Sequence, residues 1–349
     1  MIFSPQYYRH NTGKNHPESA RRLYAIIKGI EKSKILRTGN LQLIQPERAR
    51  IEDVELVHGL EYIKLVEAVC KSGGGLLDLQ DTVTSPESFE TALYAVGGTL
   101  KAVNLIMKRE FENAFALVRP PGHHAGKYRA CGFCIFNNVA IAAKHLTTKY
   151  KLRRVLILDV DAHHGNGTQE TFYETNKALY ISLHEDPSSF PGTGFVDEIG
   201  EGEGLGCTVN IPFPFGTGDR IYLKAMNEIV KPIIRQYKPE FILVSAGFDG
   251  HYADPVANLS LSAPCIQQIH EMTARLATEV CQGRLVSVLE GGYSLKYVGK
   301  LAASAIAAIS QTSYIAKDTI PLTSRNIEFQ GAKVIREVKK VQKAFWNID

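Results

Sequence analysis

Short apolar runs alternate with longer helical stretches along most of this chain. Strands and helices that follow one another in turn form a mostly parallel sheet. We therefore expect an α/β protein with one central sheet. The predicted strands are AFALV (114–118), VLIL (155–158), ALYISL (178–183), TVNIPF (208–213), FILVSAG (241–247) and LVSVLEGGY (285–293). The predicted helices are residues 52–71, 86–110, 138–149, 168–176, 219–237, 263–281 and 295–310.

Both ends of the chain carry further predicted elements. Near the N-terminus, Pro17 fits the first turn of a helix, and the acidic Glu18 suits the helix dipole there. Residues 41–45 (LQLIQ) predict a short strand. Within residues 311–349, an apolar stripe with basic residues opposite it predicts an amphipathic helix. Such a terminal helix usually packs on its own domain, and we expect that here.

Polar residues with catalytic chemistry follow the predicted strands. Asp159, Asp161 and His163 come directly after the run VLIL. Asp161 and His163 are two residues apart, so in an extended chain their side chains point the same way. Because ligands bind beyond the carboxyl ends of the strands in open α/β sheets, we expect these groups to converge. The other strands lead to His123 and His124, to His184, to Asp249 and to Tyr293.

Asp161, His163 and Asp249 are the residues that would hold a metal ion at this edge of the sheet. A catalytic zinc keeps an open position beside its protein ligands. Two carboxylates and one imidazole form a fairly hard donor set, so Fe²⁺, Co²⁺ and Mn²⁺ are alternatives to zinc. A metal in this position would polarise a carbonyl group and lower the pKa of water.

Imidazole and phenol groups complete the candidate site. His123 and His124 are candidates for proton transfer, since imidazole titrates near neutrality. Tyr293 can offer its hydroxyl to a developing oxyanion. A metal, a base and an oxyanion donor together predict hydrolysis of an amide or an ester.

Composition narrows the class of protein. The chain has 349 residues, 44% of them hydrophobic, and a net charge of +4, which is too mild to indicate a nucleic acid or a membrane as partner. No apolar run approaches the roughly 20 residues of a membrane span, and no signal-peptide core is evident, so we expect a cytoplasmic protein. The six cysteines are too scattered for a disulfide scaffold, and Cys131-x-x-Cys134 lacks the second such pair of a zinc knuckle.

Six motifs follow one another along the chain, namely RPPGHHA (119–125), GFCIFNN (132–138), LDVDAHHGNG (158–167), SLHED…FPGTG (182–194), SAGFDGHYADP (245–255) and LEGGY (289–293). These motifs resemble those of the histone deacetylase family, which includes acetylpolyamine amidohydrolases. The resemblance covers about residues 1–310 and implies the arginase/deacetylase α/β fold, with helices on both faces of a mostly parallel sheet. It also implies a zinc hydrolase that releases acetate from an N-acetylated amine such as acetyl-lysine. We expect a deacetylase catalytic domain over 1–310 and a C-terminal extension over 311–349.

The resemblance implies roles for the catalytic residues. His124 is similar to the general base, and His123 to the companion that stays charged or acts as an acid toward the leaving amine. Asp159 resembles the carboxylate that orients His123. Asn166 stands where many members have Asp and the class II type has Asn, so His124 lacks a negative partner and should be harder to protonate. Tyr293 replaces the His of a poorly active subgroup and favours a competent deacetylase.

The resemblance also implies a substrate channel. Phe133 and Phe190 resemble the two aromatic walls of the acyl-lysine tunnel, where flat rings clasp a methylene chain. Gly132 and Gly292 are expected to line the same channel. Asp81 falls near the rim carboxylate that holds backbone amides of the substrate.

Two ions are implied. Zinc would bind Asp161, His163 and Asp249, with Fe²⁺ or another divalent ion as the alternative. Potassium would be an electrostatic support rather than a reactant. The residues of the potassium site would be Asp159, Asp161, His163, Ser182 and Leu183.

Other functions fit part of the sequence. An amidohydrolase for acetylpolyamines or another small N-acyl amine would use the same site, although the short 10–17 loop does not suggest a narrowed channel. A two-manganese ureohydrolase would need more carboxylates, and a non-enzymatic acyl-lysine binder would not need the complete catalytic set. The expected partner is an acetylated lysine peptide or protein, or a small acetylated amine, with no nucleic acid and no membrane. The oligomeric state stays open, with a homodimer and a tetramer among the alternatives.

Overall fold

The computed structural model describes residues 1–348. Its centre is a six-stranded sheet in which all neighbouring strands are parallel. A two-stranded antiparallel pair, β1 and β2, forms a separate sheet. The strands are β1 (Gly75–Leu76), β2 (Val83–Thr84), β3 (Asn113–Ala116), β4 (Val155–Asp159), β5 (Ala178–Glu185), β6 (Thr208–Phe213), β7 (Phe241–Ala246) and β8 (Leu285–Leu289).

Helices lie on both faces of the central sheet. The connection from β4 to β5 and the connection from β7 to β8 run in opposite directions across the sheet. Because such crossovers are right-handed, their helices α6 and α9 lie on opposite faces. The expected α/β fold is therefore confirmed. The helices are α1 (Ala20–Ser33), α2 (Ile51–Val54), α3 (Leu60–Lys71), α4 (Ser88–Met107), α5 (Asn138–Thr148), α6 (Asn166–Phe172), α7 (Asp219–Ala225), α8 (Lys231–Tyr237), α9 (Ala263–Cys281), α10 (Val298–Ile309) and α11 (Arg325–Gln342).

The strand order β3-β8-β7-β4-β5-β6 creates a switch point between β4 and β7. From β4 the chain continues to β5 on one side, whereas β7 pairs with β4 on the other side. In sheets of this kind, ligands bind in the crevice beyond the carboxyl ends of the strands at such a point. The two strands end at Asp159 and Ala246, and every residue in them is buried.

Several predicted elements differ from the structure near the N-terminus. Residues 41–45 form no strand, and only Ile44 pairs with another segment through an isolated bridge to Ile2. The predicted helix 52–71 is divided into α2 and α3. Helix α1 begins at Ala20, three residues after Pro17. The cause is a tertiary contact, since Glu18 turns into the interior and binds two arginines there.

The C-terminal helix α11 packs along strand β6 and helix α7. Its apolar residues Ile335 and Val338 are buried against the rest of the protein. The Gln342 side-chain amide donates to the Thr208 carbonyl at 2.9 Å, so the end of α11 is tied to the first residue of β6. Among the residues described, no helix combines the length and the apolarity needed to cross a membrane.

Candidate active site

Asp161, His163 and Asp249 meet beyond the ends of β4 and β7. Each residue contributes one ligand atom, and these atoms lie within 4.8 Å of one another. Nδ1 of His163 is 3.1 Å from Asp249 Oδ2 and 3.5 Å from Asp161 Oδ1. Backbone N–H groups fix both carboxylates, because Gly291 donates to Asp161 at 2.8 Å and Ala162 donates to Asp249 at 2.9 Å. We call Asp161, His163 and Asp249 the donor set.

The donor set fits a divalent metal ion. Asp161 and Asp249 are 1% and 0% exposed, so two carboxylates face each other out of contact with water. Burial and the neighbouring Asp161 carboxylate raise the pKa of Asp249. A divalent cation between the two groups would remove this repulsion. Carboxylate oxygens with one imidazole nitrogen are suitable ligands for zinc and for similar ions.

His123 forms a buried charged pair with Asp159. Its Nδ1 lies 3.0 Å from Asp159 Oδ2, which also accepts a hydrogen bond from the Tyr180 hydroxyl at 3.1 Å. Burial acts to lower the pKa of His123, but the negative charges of Asp159 and Asp161 outweigh it and raise this pKa to about 10. His123 is therefore protonated at neutral pH.

His124 has the opposite charge state from its neighbour. Its Nδ1 lies 2.9 Å from Asn166 Oδ1. Because a carboxamide oxygen can only accept, Nδ1 carries the proton and Nε2 keeps a free lone pair. Burial, and then the charge on His123 at a ring distance of 3.9 Å, lower the pKa of His124 well below its ordinary value. A neutral imidazole thus lies beside a cationic one.

Tyr293 lies in a loop after β8 that is fixed from two sides. Asp254 accepts the Tyr293 backbone N–H at 2.6 Å. The Arg22 guanidinium donates to the carbonyls of Gly292 and Glu290 at 2.7 and 2.5 Å and lies 4.8 Å from the centre of the Tyr293 ring. The Tyr293 hydroxyl makes no hydrogen bond to any described residue, so it is free to serve a ligand.

Phe133 and Phe190 lie at the entrance to the donor set, and both rings are half-buried. The Phe133 ring centre is 5.7 Å from that of Tyr293, in an edge-on contact. The Phe190 ring centre is 4.9 Å from His124 and 5.8 Å from His163. The two phenyl groups therefore lie between the donor set and the protein surface.

Two glycines allow this close packing. Gly132 has a φ of +53°, and a Cβ there would lie 2.5 Å from the His124 ring and 2.9 Å from the Phe190 ring. Gly292 has a φ of +113°, and a Cβ there would lie 2.7 Å from Phe248. Larger residues would strain the backbone and displace the channel residues. The carbonyl of Gly292 is already engaged by Arg22.

Asp81 lies on a loop that is attached to the channel. Its carboxylate Oδ1 is buried and has no hydrogen-bond partner among the described residues. The Asp81 carbonyl accepts a hydrogen bond from His16 Nε2 at 3.0 Å, and the neighbouring Thr82 hydroxyl accepts the Phe133 N–H at 3.1 Å. Burial raises the pKa of Asp81. The Asp81 side chain as a whole is partly exposed, so its carboxylate is a candidate acceptor for a donor group on a ligand.

The residues expected at a potassium site are two members of the donor set, Asp161 and His163, and three residues of β4 and β5. Asp159 and Ser182 are direct neighbours in the register of β4 and β5. The Asp161 N–H donates to Asp159 Oδ1 at 3.2 Å, and the Leu183 carbonyl accepts from the Tyr222 hydroxyl at 3.3 Å. The potassium site itself stays a prediction.

Two other conspicuous histidines are held in structural hydrogen bonds. His184 Nε2 is 2.9 Å from the Gly194 carbonyl, so this strand end does not contribute to the donor set. His164 lies 3.0 Å from Gln169 Oε1 and 3.1 Å from Thr193 Oγ1. Both histidines are buried with both ring nitrogens engaged.

A buried ion cluster behind Tyr293 was not predicted from the sequence. Glu18 Oε1 accepts from Arg22 at 3.0 Å and from Arg119 at 2.7 Å, and none of the three side chains is more than 1% exposed. The available signal was an arginine within the apolar stripe of α1, four residues after an acidic residue. Arg119 is distant in sequence, so local patterns could not reveal it.

Fold and site together define an α/β protein with a carboxylate and imidazole donor set at the carboxyl edge of its parallel sheet. The histone deacetylase domain family matches residues 16–309. The chain belongs to the histone deacetylase family, as its motifs predicted, and it is a hydrolase of the deacetylase type.

Individual relatives agree with this assignment. A "Probable deacetylase" of Archaeoglobus fulgidus is 43% identical over 296 residues, which cover 85% of this chain and 81% of that protein. A "Histone deacetylase-like amidohydrolase" of Pseudomonas aeruginosa is 38% identical over 284 residues, which cover 81% of this chain and 73% of that protein. The crystal structure of the HDA15 HD domain matches with a TM-score of 0.88 at 30% identity and covers 99% of this chain and 96% of that chain.

Proposed function

We propose that this protein is a zinc-dependent deacetylase that hydrolyses the amide of N-acetylated amines, with acetyl-lysine side chains as the preferred substrate. The observation that carries the proposal is the donor set together with two adjacent histidines whose Nδ1 atoms face different groups, Asp159 for His123 and Asn166 for His124. Amide hydrolysis at neutral pH needs one group that accepts a proton and another that donates one. This site holds both within a single pair of adjacent residues.

Asp161, His163 and Asp249 would hold the zinc ion, and Fe²⁺ or another divalent ion is the alternative. A bound ion of this kind supplies Lewis acidity, which polarises a carbonyl group and makes water more acidic. Backbone donors keep both carboxylates in place for this role. Potassium near Asp159 and Ser182 would support the site electrostatically.

His124, His123 and Tyr293 each take a separate part in the proton transfers and hydrogen bonding of the reaction. Nε2 of His124 has a free lone pair and accepts a proton from the attacking water. His123 carries a proton, which it can give to the departing amine, and Asp159 keeps its ring oriented. The Tyr293 hydroxyl donates to the oxyanion that develops on the carbonyl oxygen.

The channel favours a long, apolar chain that ends in an amide. Phe133 and Phe190 would clasp the methylene groups of a lysine side chain. The partly exposed carboxylate of Asp81 would accept backbone N–H groups of a peptide at the rim. The same carboxylate would also attract the ammonium group of an acetylpolyamine, which makes that class the second candidate.

The proposal is tested by acetate release from an acetyl-lysine peptide and from N-acetylputrescine, side by side. We expect a higher kcat/KM for the peptide, loss of activity on chelation, and recovery with one equivalent of zinc. Asp161→Ala and His124→Ala should lose nearly all activity. His145→Asn is the control, because His145 is paired with Asn104 on the α4–α5 face, away from the donor set.

Two results would change the proposal. Full activity after chelation, together with full activity of Asp161→Ala, would contradict a metal-dependent deacetylase. A higher kcat/KM for N-acetylputrescine would keep the chemistry and select the small-amine substrate.

A further inference from the structure

Asp318 is a buried carboxylate in the segment between α10 and α11, outside the family match at residues 16–309. Its side chain is 3% exposed and accepts four hydrogen bonds. The donors are His251 Nε2 at 2.8 Å, Lys300 Nζ at 2.9 Å, the Ala263 N–H at 3.0 Å and the Tyr252 hydroxyl at 3.2 Å. A contact set of this density fixes its neighbours firmly.

The contact with His251 has a defined direction. His251 Nδ1 lies 3.3 Å from the Ala253 N–H, which can only donate. Nε2 therefore carries the proton of the neutral ring and donates it to Asp318. Burial acts to raise the pKa of Asp318, but the hydrogen bonds from His251 and Lys300 hold it well below its ordinary value. The acceptor is thus a carboxylate.

His251 is the centre of a segment that carries two parts of the active site. The segment 249–254 begins with Asp249 of the donor set and ends with Asp254, which accepts the Tyr293 backbone N–H. The Asp254 N–H donates to the His251 carbonyl at 2.8 Å. A shift of His251 would therefore move both ends of this segment.

The same cluster also supports the loop after Tyr293. The His251 ring lies 4.6 Å from the ring of Tyr297, four residues beyond Tyr293. Lys300, which pairs with Asp318, lies 4.5 Å from the centre of the Tyr297 ring. Asp318 is thus connected to the Tyr293 loop by a second route.

We propose that Asp318 is a positioning residue of the active site, which fixes segment 249–254 through His251 and thereby sets the places of Asp249 and Tyr293. The effect on turnover rests on the proposed deacetylase activity, whereas the effect on zinc affinity rests only on the donor set binding the ion. Groups that orient metal ligands from behind typically change metal affinity or activity by about 10-fold to 100-fold when they are mutated.

The test compares Asp318→Ala and Asp318→Asn with the parent protein. In Asp318→Ala, we expect zinc affinity, measured by competition with a chelator, to fall about 10-fold. We expect kcat to fall by about the same factor, with KM within about twofold, because Phe133, Phe190 and Asp81 lie on other loops. Asp318→Asn keeps an oxygen acceptor for His251 but loses the charge that faces Lys300, so its values should lie between those of the parent and Asp318→Ala.

Asp219→Ala is the matched control. Asp219 accepts the Ser262 N–H at 2.8 Å and the Ser262 hydroxyl at 2.6 Å. Asp219 therefore anchors Ser262 at the start of α9, next to Ala263, which Asp318 anchors. Asp219 makes no hydrogen bond to His251. We expect Asp219→Ala to lower the melting temperature while zinc affinity and kcat stay near those of the parent.

The outcomes separate the two proposals. The positioning role would be overturned if Asp318→Ala had the same zinc affinity and the same kcat as the parent protein or as Asp219→Ala. If the parent releases no acetate, the proposed function fails, while zinc affinity still tests Asp318. If Asp318→Ala does not fold, Asp318→Asn decides by the same two measurements.

A double variant adds a readout that a general loss of stability would not move. Combined with Tyr293→Phe, Asp318→Ala should reduce kcat by a smaller factor than it does alone, since part of its effect passes through Tyr293. If the two substitutions reduced kcat by independent factors, the proposed connection from Asp318 through Asp254 to Tyr293 would be contradicted.

Discussion

His123 and His124 differ in charge because their Nδ1 atoms face different groups. Asp159 supplies a full negative charge to His123, whereas Asn166 supplies only a carbonyl dipole to His124. Burial and the charge on His123 lower the pKa of His124, and Asn166 adds no negative charge that would offset them. This residue-scale contrast can be tested directly.

Asn166→Asp should raise the pKa of His124, because a negative charge beside Nδ1 stabilises the imidazolium. A base must be neutral to accept a proton, so activity rises with pH through its pKa. The acidic limb of the kcat/KM–pH profile should thus move to higher pH by about one unit or more.

Asn104→Asp is the control for that change. Asn104 Oδ1 lies 3.0 Å from His145 Nε2, which reproduces a His–Asn pair away from the site. Its pH profile should match the parent profile. If the Asn166→Asp profile also matches it, His124 is not the base.

Tyr293→Phe removes only a hydroxyl that has no partner among the described residues. If that hydroxyl donates to the oxyanion, its loss should lower kcat by about 10²-fold to 10³-fold, with a smaller change in KM. Tyr150→Phe, which removes a hydroxyl bonded to Asn104, should leave kcat unchanged. A kcat for Tyr293→Phe within about threefold of the parent would argue against this role.

At the scale of elements, the apolar pattern was sufficient for the strands of the sheet. Strand β6 and helix α9 have the predicted bounds, because a largely buried strand or an amphipathic helix depends on its own local sequence. Helix α1, in contrast, does not begin where the sequence pattern predicts. Glu18 leaves the helix to bind Arg119, and a contact between such distant segments has no local signal.

The candidate site divides in the same way. The donor set and the two histidines were visible because they directly follow strands or stand in family motifs. The roles of Asp254, Arg22 and Asp318 were not visible, although Asp254 stands in the motif 245–255, since each residue acts on a backbone or side chain of another segment.

Glu18→Gln should lower the free energy of unfolding by about 3 kcal/mol at pH 7, because it leaves two buried arginines without their charged partner. Burial acts to raise the pKa of Glu18, but Arg119 and Arg22 outweigh it and lower this pKa to about 2 from an ordinary value of 4.5. The contribution of the Glu18 charge to the free energy of unfolding is therefore complete above about pH 4.5 and is lost as the pH falls toward 2.

Urea unfolding of both proteins between pH 7 and pH 3 checks this prediction. The difference between parent and variant should shrink over the acidic part of that range. Glu90→Gln, which breaks the exposed pair with Arg48, should cost less than about 1 kcal/mol at any pH. A constant difference for Glu18→Gln would refute the ionic explanation.

At the scale of the whole molecule, helix α11 of the C-terminal extension packs against the rest of the protein. Strand β6 is an edge strand, and α11 covers it with Ile335 and Val338. Burial of each such side chain contributes about 1.5–3 kcal/mol. The Trp346 indole also donates to the Gly206 carbonyl at 3.0 Å, just before this strand.

Deletion of residues 311–349 should therefore lower the melting temperature by about 5 °C or more and promote self-association through the uncovered edge. Calorimetry and sedimentation measure the two effects. Arg325→Ala, at the exposed start of α11, is the control and should change neither. A truncated protein as stable and monodisperse as the parent would mean that 1–310 is independent of its extension.

The strand order also has a consequence for protein synthesis. Strand β4 leaves the ribosome before β5, β6 and β7, yet in the finished sheet it lies between β5 and β7. The edge of β4 that pairs with β7 thus has no partner strand until β7 has been translated. A nascent chain that ends before β7 contains Asp161 and His163 but not Asp249, so it offers a metal ion two ligands instead of three. A metal ion that needs all three proposed ligands would therefore bind only after more than two thirds of the chain has been translated.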